Sequence, residues 1–298
     1  MNQMKWKDGA TRIGNKGLES KEQYLAAQGV SRSYLKFLDE SFERMIAEMN
    51  KSEEEKKDSV AMLQGRSIHE LIMEPEKIND YVLDNEMFDS IDSARPRSTN
   101  KYRVWKSEMQ LAGKEVLKWD TEGIFITEAK AVLKSVYGND TLSKILKASE
   151  KEFAMAAEIN GILAKCCADI LLDGQDVAVI YDLKSIDGII TQSELENYAA
   201  RYGLHLQAAW YSKIARIVLG KRVRFGIIFI GKNRPYPIKI QMVSDEAMEL
   251  GIKEVDYYID KIKMGLEGKW SFDRQCTDNV LQLPDWYCTK IESKVGGF

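Results

Sequence analysis

Cysteine is scarce in this chain of 298 residues: there are four, two of them adjacent at Cys166 and Cys167, which gives no disulfide framework and fits a reducing compartment. Long apolar runs are missing. No stretch approaches the ~18 residues of a membrane span, and the polar opening from Met1 to Gly14 has no signal-peptide core, so the reading is a cytoplasmic protein without membrane contact. With 5 Pro and 20 Gly, collagen-like and low-complexity chains are excluded. No GxxxxGK[ST] loop occurs, which argues against an ATP-driven motor. An excess of positive charge is also lacking. The 43 basic and 46 acidic residues leave a net charge of −3, so any hold on nucleic acid must rest on a local patch.

What is present is an ordinary globular composition, 44% hydrophobic and 30% charged, long enough for one large domain or two modest ones at roughly 150 residues each. After a polar segment, 1–30, an amphipathic helix starts at Ser31 or Ser33 and carries Tyr34, Leu35, Leu38, Phe42 and Ile46. The charged run Lys51 to Asp58 reads as a solvated linker. A second helix spans Val60 to Met73 and stops near Pro75. Residues 93–107 read as an exposed loop leading into a helix over Lys106 to Leu117, and a short strand, Ile124 to Thr127, precedes a helix from Glu128. From residue 150 the period changes to that of strands. Glu152 to Ile159, Ile162 to Leu172 and Val177 to Leu183, broken at Asn160-Gly161 and Asp173-Gly174, read as an antiparallel meander at the centre of a sheet. A helix from Ser193 to Leu219, interrupted near Gly203, strands at Val223 to Ile230 and Ile238 to Val243, and a helix from Ser244 to Leu266 follow. The fold class is α/β, a mixed central sheet flanked by helices. One domain covers 31–270, with a helical part at 31–148, the sheet core at 149–243 and a last helix at 244–268, before an unassigned tail, 271–298.

The most informative triplet is Asp182-Leu183-Lys184, which closes the apolar run from Val177 to Tyr181. Side chains two apart on a strand share a face, so Asp182 and Lys184 point into one place while Leu183 packs behind. A carboxylate there can hold a hard cation such as Mg2+, and a neighbouring Lys can position or deprotonate a water and counter charge on a phosphate. That suits metal-assisted phosphodiester hydrolysis. An acid-x-Lys triplet is cheap by itself: Glu54-x-Lys56, Glu55-x-Lys57, Glu128-x-Lys130, Glu267-x-Lys269 and Glu292-x-Lys294 repeat it, most in segments where an ion-pairing surface explains them. Asp182 is set apart by Asp169, late in the preceding strand. Across a hairpin turning near Gly174 the two carboxylates come close enough to share a cation, and without one they repel. Glu150 and Glu152 open the strand before; either could supply a third acid, and both could equally be surface acids.

Of the two histidines, His69 lies on the helix before Pro75 and His205 precedes Gln207; a lone helical His is more often packed or surface-bound than a ligand. Gln207 and Tyr211 are i and i+4 and share a helix face. Two basic stretches contain no acid: Lys213 to Arg234, with Lys221, Arg222 and Arg224, and Arg95 to Lys106, with Arg95, Arg97 and Arg103. Both are candidate phosphate tracks or solubilising surfaces. Cys276 and Cys288 match no metal-binding spacing.

Taken in order, Gly65-x3-His69, Gly161-x7-Asp169, Asp182-Leu183-Lys184 and Gln207-x3-Tyr211 resemble the PD-(D/E)XK nuclease superfamily, and more closely its RecE-type (exonuclease VIII) branch from phage and prophage recombination modules. Ala168 stands where the superfamily name has proline. Further similarity lies in Val30 to Leu35, His69 to Pro75 and Leu206 to Tyr211, so the resemblance covers about residues 30–270. It implies a 5′ to 3′ exonuclease on linear double-stranded DNA ends, dependent on Mg2+ with Mn2+ as substitute, working beside a RecT-like single-strand annealing protein in a bacterial or phage-infected cell. It further implies that His69, Asp169, Asp182 and the Leu183 carbonyl hold metal, that Lys184 serves the attacking water, and that Gln207 and Tyr211 support the site. The first-strand acid aligns to Glu150, with Glu152 as the alternative. Some relatives carry a four-Cys iron–sulfur cluster whose spacing is absent here, which argues against the CRISPR-associated and helicase-linked branches. A homo-oligomeric ring is expected, because enclosing the duplex keeps a net-acidic enzyme on its track. The alternatives are a DNA-end-binding scaffold with a degenerate nuclease fold, or a structure-specific endonuclease on the same fold.

Overall fold

The computed structural model of the protein describes residues 29–51, 60–118, 123–188 and 190–269. In chain order the elements are β1 (Val30–Ser31), α1 (Phe42–Met49), α2 (Val60–Met73), β2 (Tyr81–Leu83), α3 (Asn100–Leu111), β3 (Glu115–Leu117), α4 (Gly123–Gly138), α5 (Asp140–Ala148), β4 (Glu150–Ile159), β5 (Ile162–Asp173), β6 (Val177–Ile186), α6 (Gln192–Arg201), α7 (Leu204–Leu219), β7 (Arg222–Gly231), β8 (Ile238–Met242) and α8 (Asp245–Leu266). The charged run at 52–59, the tail and both Cys276 and Cys288 lie outside the described residues. Among the described residues no helix is long and apolar enough to cross a membrane.

β5 is the hub of the mixed sheet. Along one edge it pairs antiparallel with β4, from Ile159–Ile162 to Glu150–Leu171. Asn160 and Gly161 turn this hairpin with φ of 50° and 83°, the doubly positive combination that matches strand twist and suits Asn-Gly. On its other edge β5 pairs with β6 over four rungs only, from Ile170–Tyr181 to Asp173–Ala178. Farther along, Ala164 and Lys165 pair in parallel with Val30 and Ser31 of β1; Ala164 also pairs with Ala157 of β4, so β1 must occupy the edge that β6 has left. β6 continues alone onto β7, parallel from Val177–Arg222 to Ile186–Gly231, and the crossover that parallel pairing needs is made by α6 and α7. β8 closes the edge antiparallel to β7.

Apolar side chains cover both faces. On one, Ala178, Ile180, Phe225, Ile227 and Phe229 pack with Trp210 of α7, Val255 and Ile259 of α8 and Met45 of α1. On the other, Ile170, Leu183, Ile228 and Ile230 pack with Ile68, Leu71 and Ile72 of α2, Val132 and Val136 of α4 and Leu142 and Leu146 of α5. Strands buried on both faces read as the near-continuous apolar runs seen at 162–172 and 223–230.

Three expectations from the helical half need correction. The first helix is broken: Arg32–Leu35 and a tight turn at Lys36–Asp39 precede α1, because Ser41 is extended and its side chain accepts the Arg44 N–H at 3.0 Å, which starts a new helix. The helix expected from Lys106 to Leu117 begins at Asn100, where Thr99 caps it by accepting from Tyr102 N at 3.2 Å, and Glu115–Leu117 form a strand on β2 instead. Ile124 to Thr127, expected as a strand, belong to α4; strand propensity yields to context over so short a run.

Gly161 has open space around its Cβ direction, so its demand is purely conformational. Gly161→Ala is expected to cost about 1–2 kcal/mol in denaturant unfolding, the cost of holding an L-residue left-handed, while activity per folded molecule stays unchanged.

Candidate active site

Beyond the Ile170–Tyr181 rung the ladder between β5 and β6 ends, and continuing its register places Asp169 and Asp182 on the two sides of the opening. Alternation along β6 puts Asp182 and Lys184 on the face of Ala178, Ile180 and Ile186, under α7, and sends the Leu183 side chain into the opposite cluster with Ile170 and Ile228. The Leu183 N–H turns into the opening and donates to Asp169 Oδ2 at 2.8 Å. Because a strand residue directs its N–H and C=O to one edge, the Leu183 carbonyl faces the opening too.

Each carboxylate is held by groups from a different layer. Asp169 Oδ1 lies 3.0 Å from Nε2 of His69, which α2 brings from the far face. Asp182 Oδ1 accepts from Gln207 Nε2 of α7 at 2.6 Å; facing a carboxylate, the amide must present its NH2. Lys184 Nζ stands 2.5 Å from Asp182 Oδ2 as a buried ion pair. Burial pushes the Asp182 carboxyl up to about 6: the pull of Lys184 offsets this in part, and the Asp169 charge adds to it. Burial also opposes ionisation of Asp169, yet the His69 bond and charge, Lys184 and the Leu183 N–H outweigh it and hold this carboxyl below its ordinary value. For Lys184 burial works against the charge, and Asp182 with Asp169 overcomes it, raising the pKa. Asp182 is thus the weak point of the cluster's charge balance and Asp169 the strong one.

The chemistry of the donor set fits a hard divalent cation: two carboxylates, an imidazole and a main-chain carbonyl border the opening, and the Asp182 carboxylate is buried. Lys184 and the direct His69–Asp169 contact supply the counter-charge and bonding that a cation would otherwise bring. Among the described residues no group of three His, Cys, Asp or Glu side chains is drawn together into a preformed metal cage.

Known proteins resemble this chain in the same terms. Residues 31–277 match the model of the PDDEXK-like domain of unknown function, DUF3799. The chain belongs to this PDDEXK-like family. The crystal structure of a "Putative exonuclease" from Eubacterium rectale shares the fold, with a TM-score of 0.55 at 16% identity over 97% of this chain and 100% of that one. The structure of SSO0001 aligns at a TM-score of only 0.27, with 14% identity over 80% of this chain and 97% of that one, and carries no weight. No curated protein matches the sequence.

Other residues of this PDDEXK-like domain fall in and out of the site. Gly65 marks where α2 passes β6, since a Cβ there would stand 3.2 Å from Ser185 Oγ. Glu150, the first-strand acid expected from the resemblance, pairs with Leu171, two rungs from the row of the two aspartates. Glu152 is the residue whose register falls opposite Asp169, and its φ of 49° coincides with the missing rung between Lys151–Ile170 and Phe153–Ala168. Tyr211 packs edge to face on Phe225, 5.9 Å between centroids, one turn beyond Gln207, and lies close enough to Arg32 to act on its charge. His205 is tied to Glu254 of α8 at 2.8 Å. Sequence reasoning missed Arg32, which donates to the Tyr202 and Gly203 carbonyls and senses Asp182. A lone basic residue between two serines carried no signal for that role.

The basic stretches do not converge on the cleft. Arg222 and Arg224 are exposed at the start of β7; the five residues from Arg222 to Ile227, the partner of Asp182, span about 16 Å along the strand. Lys221 is bound to Asp173 Oδ1 at 2.6 Å and to the Gly174 carbonyl at 3.0 Å. Arg95 and Arg103 are exposed. Arg97 is not available as a phosphate ligand: it grips Asp84 through Nε at 2.5 Å and Nη2 at 3.2 Å, beneath Phe88, and Asp84 is fully buried. Arg97→Ala should cost on the order of 3 kcal/mol in denaturant unfolding, because it removes the counter-charge of a buried carboxylate that keeps the Tyr102 hydroxyl, whereas exposed Arg103→Ala should stay within about 0.5 kcal/mol. Equal stability of the two variants would return Arg97 to the surface.

Proposed function

We propose that the protein is a divalent-metal-dependent exonuclease that degrades linear double-stranded DNA from its ends, 5′ to 3′, in the cytoplasm. The observation that carries this reading is the meeting of Asp169, Asp182, Lys184 and His69 where β5 and β6 stop pairing. Asp169, Asp182, His69 and the Leu183 carbonyl would hold Mg2+ or Mn2+, with Glu152, by its register, in better position than Glu150 to add an outer acid. A cation so held supplies positive charge against the negative charge that develops on the phosphate. Gln207 fixes the Asp182 carboxylate, and Lys184 orients the attacking water and offsets charge at the phosphate. End dependence, polarity, a ring-shaped homo-oligomer and a RecT-like annealing partner come from the resemblance to the RecE-type branch; the exonuclease description of the Eubacterium rectale protein agrees with the first of these.

Linear duplex with Mg2+ should be converted to single strand and mononucleotides, EDTA should stop the reaction, and a covalently closed circle of the same sequence should survive. Equal cutting of the circle would assign an endonuclease, and end binding without nucleotide release under any divalent metal would assign a scaffold.

Lys184→Ala separates roles inside the cluster. It leaves every oxygen and nitrogen ligand in place but removes the group that serves the water, so single-turnover cleavage should fall by about 10² to 10³ while calorimetric Ca2+ affinity stays near wild type. Normal cleavage by this variant would move the chemistry away from β6.

A further inference from the structure

Beside Lys184 stands a stair of aromatic rings that the hydrolytic residues do not use. Phe229 of β7 is the register partner of Lys184, on the same face of the sheet, and is buried. Tyr198 of α6 meets Phe229 edge to face, with centroids 6.2 Å apart and planes at 87°. Tyr202, one helical turn on, lies against Tyr198 with centroids at 4.4 Å and an angle of 43°. Exposure rises along the stair: Phe229 is covered, Tyr198 is half-buried, and Tyr202 is 50% exposed. Burial raises the Tyr198 phenol, and the charges of Lys184 and Asp182 both reach it, so the stair begins at the cleft.

The outer step is anchored. Arg32, immediately after β1, donates through Nη2 to the main-chain carbonyls of Tyr202 and of Gly203, the latter at 2.7 Å, and so pins the backbone that carries the Tyr202 ring. An aromatic side chain on a fixed backbone has little entropy left to lose when a flat partner stacks on it.

We propose that Tyr202, backed by Tyr198, is a stacking platform for one unpaired nucleobase of the strand whose phosphate lies at Lys184; this rests on the nuclease reading above. A base inside a duplex has both faces covered by its neighbours, so the platform takes a base that has left the stack at a frayed or resected end. Stacking on an aromatic ring uses the π-face that every base possesses, so this contact grips the strand without reading its sequence, as degradation of arbitrary DNA requires.

The test uses the full chain with Ca2+ in place of Mg2+ and a duplex whose terminal, unpaired base is 2-aminopurine. Wild type and Tyr202→Phe should quench its fluorescence on binding. Tyr202→Ala should not, and should bind roughly five- to a hundredfold more weakly, the range for loss of one base–ring stack. Replacing the terminal nucleotide with an abasic one should weaken wild type by a similar factor and leave Tyr202→Ala nearly unaffected. Quenching by Tyr202→Ala, or an abasic penalty that is the same in both proteins, would overturn the platform. Base-dependent quenching by a protein that hydrolyses no DNA with Mg2+ would uphold the platform and sink only the hydrolytic reading; hydrolysis with no dependence on the ring would do the reverse.

Discussion

Two carboxylates set side by side at the mouth of a sheet repel each other, and the arrangement of this molecule follows from how that repulsion is contained. Like charges in contact in a partly buried setting cost on the order of a few kcal/mol, so Asp169 and Asp182 persist only because each has its own set of partners. Asp169 takes the Leu183 N–H and His69; Asp182 takes Gln207 and Lys184. These groups come from β6 itself, from α2 on one face and from α7 on the other. Both helical layers are therefore fixed relative to one point, and a shift of either would leave a buried charge uncompensated.

Side chains from opposite faces of a continuous sheet cannot touch, because the backbone ladder lies between them. His69 and Gln207 serve neighbouring carboxylates only because β5 and β6 stop pairing after Ile170–Tyr181. An open strand edge inside a domain is itself a liability, since its N–H and C=O groups need partners. Here the edge is resolved at both ends of the gap: Asp169 takes the Leu183 N–H, and β1 pairs with Ala164 and Lys165 where β6 no longer reaches. The two-residue strand at Val30–Ser31 is thus a cover for the edge that the active-site opening exposes, and Arg32 directly after it ties the α6–α7 junction to that cover.

The parts of this design that were legible in the sequence are those written locally. Alternation and turn residues gave β4, β5 and β6 nearly to their ends, since Asn160-Gly161 and Asp173-Gly174 are turns by their own chemistry, and strand parity alone put Asp182 and Lys184 on one face. What the sequence could not show is pairing at long range. β1 and β3 are strands only because of partners far along the chain, so Val30–Ser31 did not read as a strand, although Ser31 does precede the helical turn at Arg32–Leu35, and Glu115 to Leu117 read as helix. Glu152 rather than Glu150 falls in the row of the aspartates because the register runs through the Asn160-Gly161 hairpin, a count that spacing from Gly161 by family resemblance did not reproduce.

The basic stretches teach the same lesson about charge. Counted along the sequence, Lys213 to Arg234 contains no acid, yet Lys213 is bound to Asp256 on α8 and Lys221 to Asp173 on the β5–β6 turn; Arg97 in the other stretch belongs to Asp84. An acid-free run is not an unpaired one, because ion pairs form across space. With a net charge of −3 and Arg222 and Arg224 far along β7 from the cleft, binding at the opening has little support from a continuous phosphate track. The contacts within reach of Lys184 are instead a cluster of acids suited to a cation and a stair of rings suited to a base. On the proposed function, such a site would draw its hold on substrate from a cation and from the end of the strand, the balance expected of a protein that grips an unpaired end rather than the body of the duplex.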